Sequence, residues 1–138
     1  MRQPLITFII PAYNAAPYIR ACVESVFGIE LYGHEREVIA IDDGSTDNTF
    51  EVLSQCKSDH PELLLISQGN QGPSVARNAG MEKACGKYIF FVDADDRLDC
   101  CCDTKELVSP LEDGVIDIIG INSRPPNLAG RTAPYRRH

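Results

Sequence analysis

Apolar residues along this chain fall into short runs and helical stripes, and the two alternate. The run "LITFII" (5–10) is too short for a helix and is closed by Pro11, so it reads as a buried strand. Asn14 is then placed to cap a helix, with Pro17 in its first turn. Tyr18, Ile19, Cys22, Val23, Val26 and Phe27 recur at three- and four-residue steps and give that helix one apolar face. "EVIAI" (37–41) reads as a second strand. "DDGSTDNT" follows as a turn, where Asp47 or Asn48 caps a helix running to about Ser58. A third strand, "ELLLIS" (62–67), leads into the loop "QGNQGPS" (68–74). A helix from Ser74 to Cys85 comes next, with Gly86 as its left-handed terminator. "KYIFFV" (87–92) is the fourth strand, and a helix near 103–112 and a short strand "VIDIIGI" (115–121) complete the regular part.

Strands alternating with helices predict an α/β, Rossmann-like architecture, a mostly parallel sheet with helices on both faces. Ligands of such sheets bind beyond the carboxyl ends of the strands. The polar residues that stand out cluster at those ends: Pro11 to Asn14, Asp42 to Asp47, the 68–78 loop, and Asp93 to Asp96. From Asn122 the text changes to "NSRPPNLAGRTAPYRRH", with four Arg and no acidic residue, which reads as a flexible or weakly packed tail (122–138) after a folded region (1–121). There is no internal repeat.

At 138 residues the chain is one domain or a piece of one. A formal net charge of −7 argues against nucleic-acid binding, which depends on neutralising phosphates. It leaves room for a small anionic ligand, because a divalent metal reverses the local charge. Cys22, Cys56, Cys85, Cys100, Cys101 and Cys102 show no metal-ligand spacing, and three stand side by side, so free thiols in a reducing cytosol are expected. "LITFII" is too short for a signal peptide, and no apolar run approaches the ~20 residues of a membrane span.

Three constellations carry candidate chemistry. Asp42 and Asp43 end a strand. A capping turn accounts for Ser45 to Asn48, whereas two adjacent acids before the glycine also suit a base N–H or ribose hydroxyls. Arg77, expected in the first turn of its helix, is either a diphosphate seat with the helix N-terminus or a surface cation paired with an acid. Ala76, Ala79, Gly80 and Ala84 read as small residues for close packing on the sheet. "DADD" (93–96) excludes a calcium loop of the EF-hand type, because the fifth, sixth and twelfth positions are Arg97, Leu98 and Thr104. A capping turn, a phosphatase-like aspartyl nucleophile and a carboxylate-held divalent metal shared with substrate phosphates stay open.

Together "ITFIIPAYNAAPYIRACVESV", "VIAIDDGSTDNTFEVL", "NQGPSVARNAG" and "GKYIFFVDADD" resemble the family 2 glycosyltransferases of the GT-A fold, over about residues 4–121. The resemblance implies a nucleotide-sugar donor, usually a UDP-sugar, with Mn²⁺ or Mg²⁺. It implies that Pro11 and Tyr13 line the nucleoside pocket and that Asp43, with Asp42 beside it, recognises the base. Arg77 would lie near base and diphosphate. Asp93 and Asp95 match the DXD motif for ribose and metal, with Asp96 sharing the metal beside Asp95. It also implies inverting transfer to a saccharide or lipid-linked acceptor, in polysaccharide or glycolipid synthesis. A cytoplasmic enzyme is expected, with association at the inner face of a membrane left open. The family's general base comes from a second half that no segment here matches. The match therefore covers the donor-binding half, the region looks truncated, and no residue is assigned as base. A non-catalytic nucleotide-binding module is the alternative reading, and a metal-dependent phosphatase-like hydrolase a third.

Overall fold

The computed structural model describes residues 3–98 and 104–112. The chain divides into two compact units, residues 1–102 and 103–138. The first holds β1 (Ile6–Ala12), α1 (Ile19–Gly28), β2 (Arg36–Asp43), α2 (Thr49–Asp59), β3 (Leu64–Gln68), α3 (Pro73–Lys83) and β4 (Tyr88–Phe91). The described part of the second is helix α4 (Lys105–Glu112), with Pro110 inside it. The expected strand at 115–121, the tail at 122–138 and Cys100 to Cys102 lie outside the described residues.

The sheet has four strands in the order β3-β2-β1-β4, all parallel, as the alternation predicts. The chain moves from β1 through β2 to β3 in one direction, then returns past β1 to β4. Right-handed crossovers therefore place α1 and α2 on one face and α3 on the other. On the α3 face, Ile9, Ile39 and Ile41 form a fully buried cluster with Ala76. Alternation sends Phe8, Ile10, Val38 and Ala40 to the opposite face, and they are equally buried. The sheet is thus apolar on both sides, which is why its strands read as continuous runs.

Several boundaries differ from the sequence reading, each for a physical reason. β1 continues through Pro11 to Ala12. Ile9 offers its carbonyl to Val92 on the β4 side. Pro11, two residues on, faces that same side, beyond the end of β4, so its missing N–H removes no ladder bond. Helix α1 begins only at Ile19, with Tyr18 at the cap position, so Asn14 does not cap it and Pro17 precedes it. Ala16 stands before Pro17 and is steered away from helical angles, which delays the start. Helix α3 begins at Pro73, so Arg77 lies five residues in, in the second turn rather than the first. The same helix ends at Lys83 with Ala84 extended, and Gly86 is absent from the positive-φ residues, so it is not a left-handed terminator. Gly86 meets a different demand: a Cβ there would lie 2.6 Å from Thr7 N. Asn48 holds the cap position of α2 without a side-chain cap bond, and Asp47, one residue earlier, accepts from the Thr49 N–H at 2.9 Å.

Candidate donor-binding site

Four chain segments leave the carboxyl edge of the sheet and enclose a cleft of about 490 Å³. They are the β1–α1 loop, the end of β2, the stretch from loop 69–72 into α3, and the turn after β4. The cleft sits where the strand order reverses about β1, the position at which parallel sheets open a crevice. Pro11, Tyr13, Asp43, Arg77, Asp93 and Asp95 all line it. The fold therefore gathers six of the residues singled out from sequence, drawn from positions 11 to 95.

Asp42 and Asp43 part company. Both carboxylates are buried, at 4% and 3% exposure. Asp42 stays outside the cleft and accepts from the Ser45 N–H at 3.3 Å, the capping-turn role. Asp43 faces the cleft and organises its far wall. Its Oδ1 accepts from Gln68 Nε2 and the Gln71 N–H, each at 2.9 Å, and its Oδ2 from the Gly72 N–H at 3.0 Å. Burial pushes the Asp43 carboxyl up, but these three donors outweigh it and hold the group below the ordinary Asp range. A fixed anion with remaining acceptor capacity thus points at the cleft.

Tyr13 also lines the cleft and is 48% exposed. Arg77 comes from α3, one turn past its start, and its Nη2 lies 3.6 Å from Asp93 Oδ1. Its guanidinium is also 6.0 Å from the centre of the Phe91 ring. The N-terminal end of α3, with Pro73 in the cleft wall, supplies a dipole end suited to an anion.

The acids of "DADD" form a tight turn in which the Asp96 N–H donates to the Asp93 carbonyl at 3.0 Å. Helix α1 holds this turn from behind: Cys22 Sγ donates to the Asp93 carbonyl at 3.5 Å, and Ser25 Oγ accepts from the Leu98 N–H at 2.9 Å. Asp93, Asp95 and Asp96 are exposed, and each has a carboxylate oxygen within 4.8 Å of the others. Partial burial and then the charges of Asp95 and Asp93 raise the Asp96 carboxyl above the usual range. Three hard oxygen donors under mutual repulsion fit a Mg²⁺- or Mn²⁺-type cation. Arg77 pairs with Asp93 among them.

Two features lie where the sequence placed polar clusters, at Pro11 to Asn14 and in the 68–78 loop, but in roles it did not assign. Asn14 lines the cleft and is hydrogen-bonded to the β2–α2 turn, where a helix cap was expected. Loop 69–72 contributes Asn70 and Gly72 to the wall, pinned by Asp43. A signal for the first was the pairing of "YN" at one strand end with "GSTD" at the next.

Comparison with known proteins places these features in context. The family model "Glycosyl transferase family 2" matches residues 7–137. An uncharacterized glycosyltransferase, YibD of Escherichia coli, is 46% identical over 93 residues, which is 67% of this chain and 26% of that protein. The hyaluronan synthase of Pasteurella multocida is 41% identical over 98 residues, 71% of this chain and 10% of that protein. The chain thus spans about a quarter of the first relative and a tenth of the second. Among solved structures, S. aureus TarS 1-349 in complex with UDP superposes with a TM-score of 0.67 at 27% identity, covering 79% of this chain and 32% of that one. The mannosyltransferase PcManGT from Pyrobaculum calidifontis, in complex with GDP-Man and Mn²⁺, gives 0.67 at 26% identity over 78% of this chain and 31% of that one. The fold is the α/β, Rossmann-like GT-A architecture of these enzymes. With its family model matched from the first strand onward and its acids gathered at one sheet edge, this chain belongs to glycosyl transferase family 2.

Proposed function

We propose that this chain binds the donor of an inverting, metal-dependent glycosyl transfer, and that the donor is a UDP-sugar. The observation that carries the reading is the convergence of Tyr13, Asp43, Arg77, Asp93 and Asp95 on one cleft. The nucleoside lies between Pro11 and Tyr13 on one side and Asp43 on the other. Asp43 is a held acceptor for the base N–H, and Asp93 accepts from ribose hydroxyls. Arg77 and the N-terminal end of α3 face the diphosphate. Asp95 and Asp96 hold the metal, which when bound supplies Lewis-acid stabilisation of the departing diphosphate. The acceptor hydroxyl, from a saccharide or a lipid-linked glycan, attacks the anomeric carbon from the face opposite the leaving group. Among the described residues none is placed to be its general base.

The free thiols of Cys22, Cys56 and Cys85 suit a cytosolic setting. Among the described residues no helix is long and apolar enough to cross a membrane.

Calorimetric titration of the purified chain with UDP and with GDP, each with and without Mn²⁺, tests the reading. UDP should bind weakly alone and at least several-fold tighter with Mn²⁺, and Asp95→Ala should erase most of that gain. Equal UDP affinity with and without Mn²⁺ removes the metal role. Tighter binding of GDP than UDP reassigns the donor. Binding without glycosyl transfer by the longest available form of the protein favours a nucleotide-binding module.

A further inference from the structure

The two loops that leave β1 and β2 are joined by six hydrogen bonds, and Asn14 makes four of them. Its side-chain Oδ1 accepts from the Thr46 N–H at 2.8 Å, the Asp47 N–H at 3.3 Å and the Thr46 hydroxyl at 3.3 Å. Its own N–H donates to Ser45 Oγ at 3.0 Å. The Ala15 N–H donates to Thr49 Oγ1 at 2.9 Å and the Ala16 N–H to Asp47 Oδ2 at 3.3 Å. Asn14 adopts φ 49°, a left-handed backbone that asparagine tolerates better than most residues.

The clasp has a neighbour on each side. Tyr13, the residue before Asn14, is an exposed aromatic residue that lines the cleft. The clasped turn 45–47 follows Asp43 through Gly44, at φ 70°, whose missing Cβ would sit 2.6 Å from Asn70 N in the opposite wall. Asp43 in turn holds the N–H groups of Gln71 and Gly72. A continuous chain of contacts therefore runs from Tyr13 through Asn14, turn 45–47 and Gly44 to the loop that Asp43 pins.

We infer that Asn14 is a positioning residue for nucleoside recognition: its side-chain carbonyl fixes the separation of the Tyr13 ring from the Asp43 carboxylate, and with it the size of base the cleft accepts. This rests on the nucleotide-binding reading above. The acid turn 93–96 lies on a different strand end, so the clasp governs the base and leaves the metal effect alone.

The test uses Asn14→Gly, which keeps the left-handed backbone at no steric cost but removes the acceptor, and Asn14→Asp, which keeps an acceptor. Dissociation constants for uridine, UMP, UDP and GDP are measured with and without Mn²⁺ on the full 138-residue chain. Asn14→Gly removes the three bonds that Oδ1 accepts and should weaken uridine, UMP and UDP by a common factor of about tenfold, part of the net worth of those bonds. The preference for UDP over GDP should shrink, and the Mn²⁺ enhancement of UDP binding should stay unchanged. Asn14→Asp should recover most of the affinity and the preference. Ser45→Ala, which removes one bond from the other loop, gives a milder form of the same pattern and serves if Asn14→Gly does not fold. Unchanged uridine affinity in both Asn14→Gly and Ser45→Ala overturns the inference while leaving the donor reading intact. A loss confined to UDP, with uridine unaffected, also overturns it. Failure of the unaltered chain to bind any nucleotide overturns both.

Discussion

Arg77 reaches across from α3 to Asp93, with Nη2 3.6 Å from Oδ1. This pair ties helix α3 to the acid turn. Under the proposed function one guanidinium then has two tasks: it neutralises part of the acid cluster and would meet the donor's anionic diphosphate. Removing it should move two affinities in opposite directions. Arg77→Ala should weaken UDP more than uridine, with an effect that shrinks as salt rises, since exposed charges are screened over about 10 Å at 0.1 M. The same change should strengthen binding of Mn²⁺ alone, because Asp93 loses a competing cation. Titrations of uridine, UDP and Mn²⁺ at low and high salt measure all three. Equal loss of uridine and UDP without salt dependence would show that Arg77 serves the base or the packing of α3.

Asp43 should leave a mark on stability as well as on binding. Its folded carboxyl lies below the ordinary value because the donors of Gln68, Gln71 and Gly72 outweigh the effect of burial. A depressed carboxylate contributes stability that is complete above the unfolded pKa of about 4 and is lost as pH falls through the lower folded value. Thermal unfolding of Asp43→Ala and the unaltered chain should therefore differ most at neutral pH and converge in acid. The same variant should weaken uridine, UMP and UDP alike, by about ten- to a hundredfold for a hydrogen bond to a charged group. A stability difference that persists below pH 3 would assign Asp43 a packing role independent of its charge.

Cys22 and Cys85 predict contrasting reactivity. Cys22 is fully buried on α1, and burial first, then Asp96, Asp95 and Asp93, push its thiol up to about 12. Only the thiolate is nucleophilic, so Cys22 should resist alkylation at pH 8 in the folded protein. Cys85 is exposed and should label readily. Peptide mapping after a short iodoacetamide pulse separates the two. Fast labelling of Cys22 in native buffer, at the rate seen in denaturant, would mean that α1 opens away from the acid turn.

What the sequence disclosed, and what it withheld, follows from the range of each interaction. The strands were legible because both faces of the sheet are buried, so Ile39 and Ala40 are apolar without alternation. The acids at strand ends were legible because a charged residue after an apolar run has few structural reasons to be there. Asn14 misled, because asparagine before a helix stripe is a cap in local terms. Its actual donors, on Thr46 and Asp47, lie 32 and 33 residues away. The split between Asp42 and Asp43 was equally hidden. Adjacent residues on a strand point to opposite sides, but which side meets the loop at 68–72 depends on how the chain returns through β3. Gly86 was assigned to a helix end by position, whereas its small size answers to Thr7, 79 residues earlier.

Gly80 offers a test of whether close packing of α3 on the sheet supports the cleft. It lies one turn beyond Ala76, and both are buried against the sheet. A Cβ at Gly80 would stand 2.6 Å from Ile9 Cγ2 and 3.1 Å from Ile41 Cδ1. Alanine is the better helix former by about 1 kcal/mol. Overpacking a filled core costs about 1–3 kcal/mol. The second effect should win, so Gly80→Ala should destabilise the chain by about 1 kcal/mol despite its favourable propensity. Lifting α3 also shifts Arg77, one turn from Gly80 on the same helix, so UDP affinity should fall while Mn²⁺ binding at Asp95 and Asp96 holds. Combining Gly80→Ala with Ile9→Ala removes the obstructing Cγ2, and their urea-unfolding costs should sum to less than the two singles, by about 1 kcal/mol for residues in contact. Strict additivity, or a Gly80→Ala variant more stable than the unaltered chain, would show that α3 does not rest on Ile9 as tightly as the 2.6 Å approach requires.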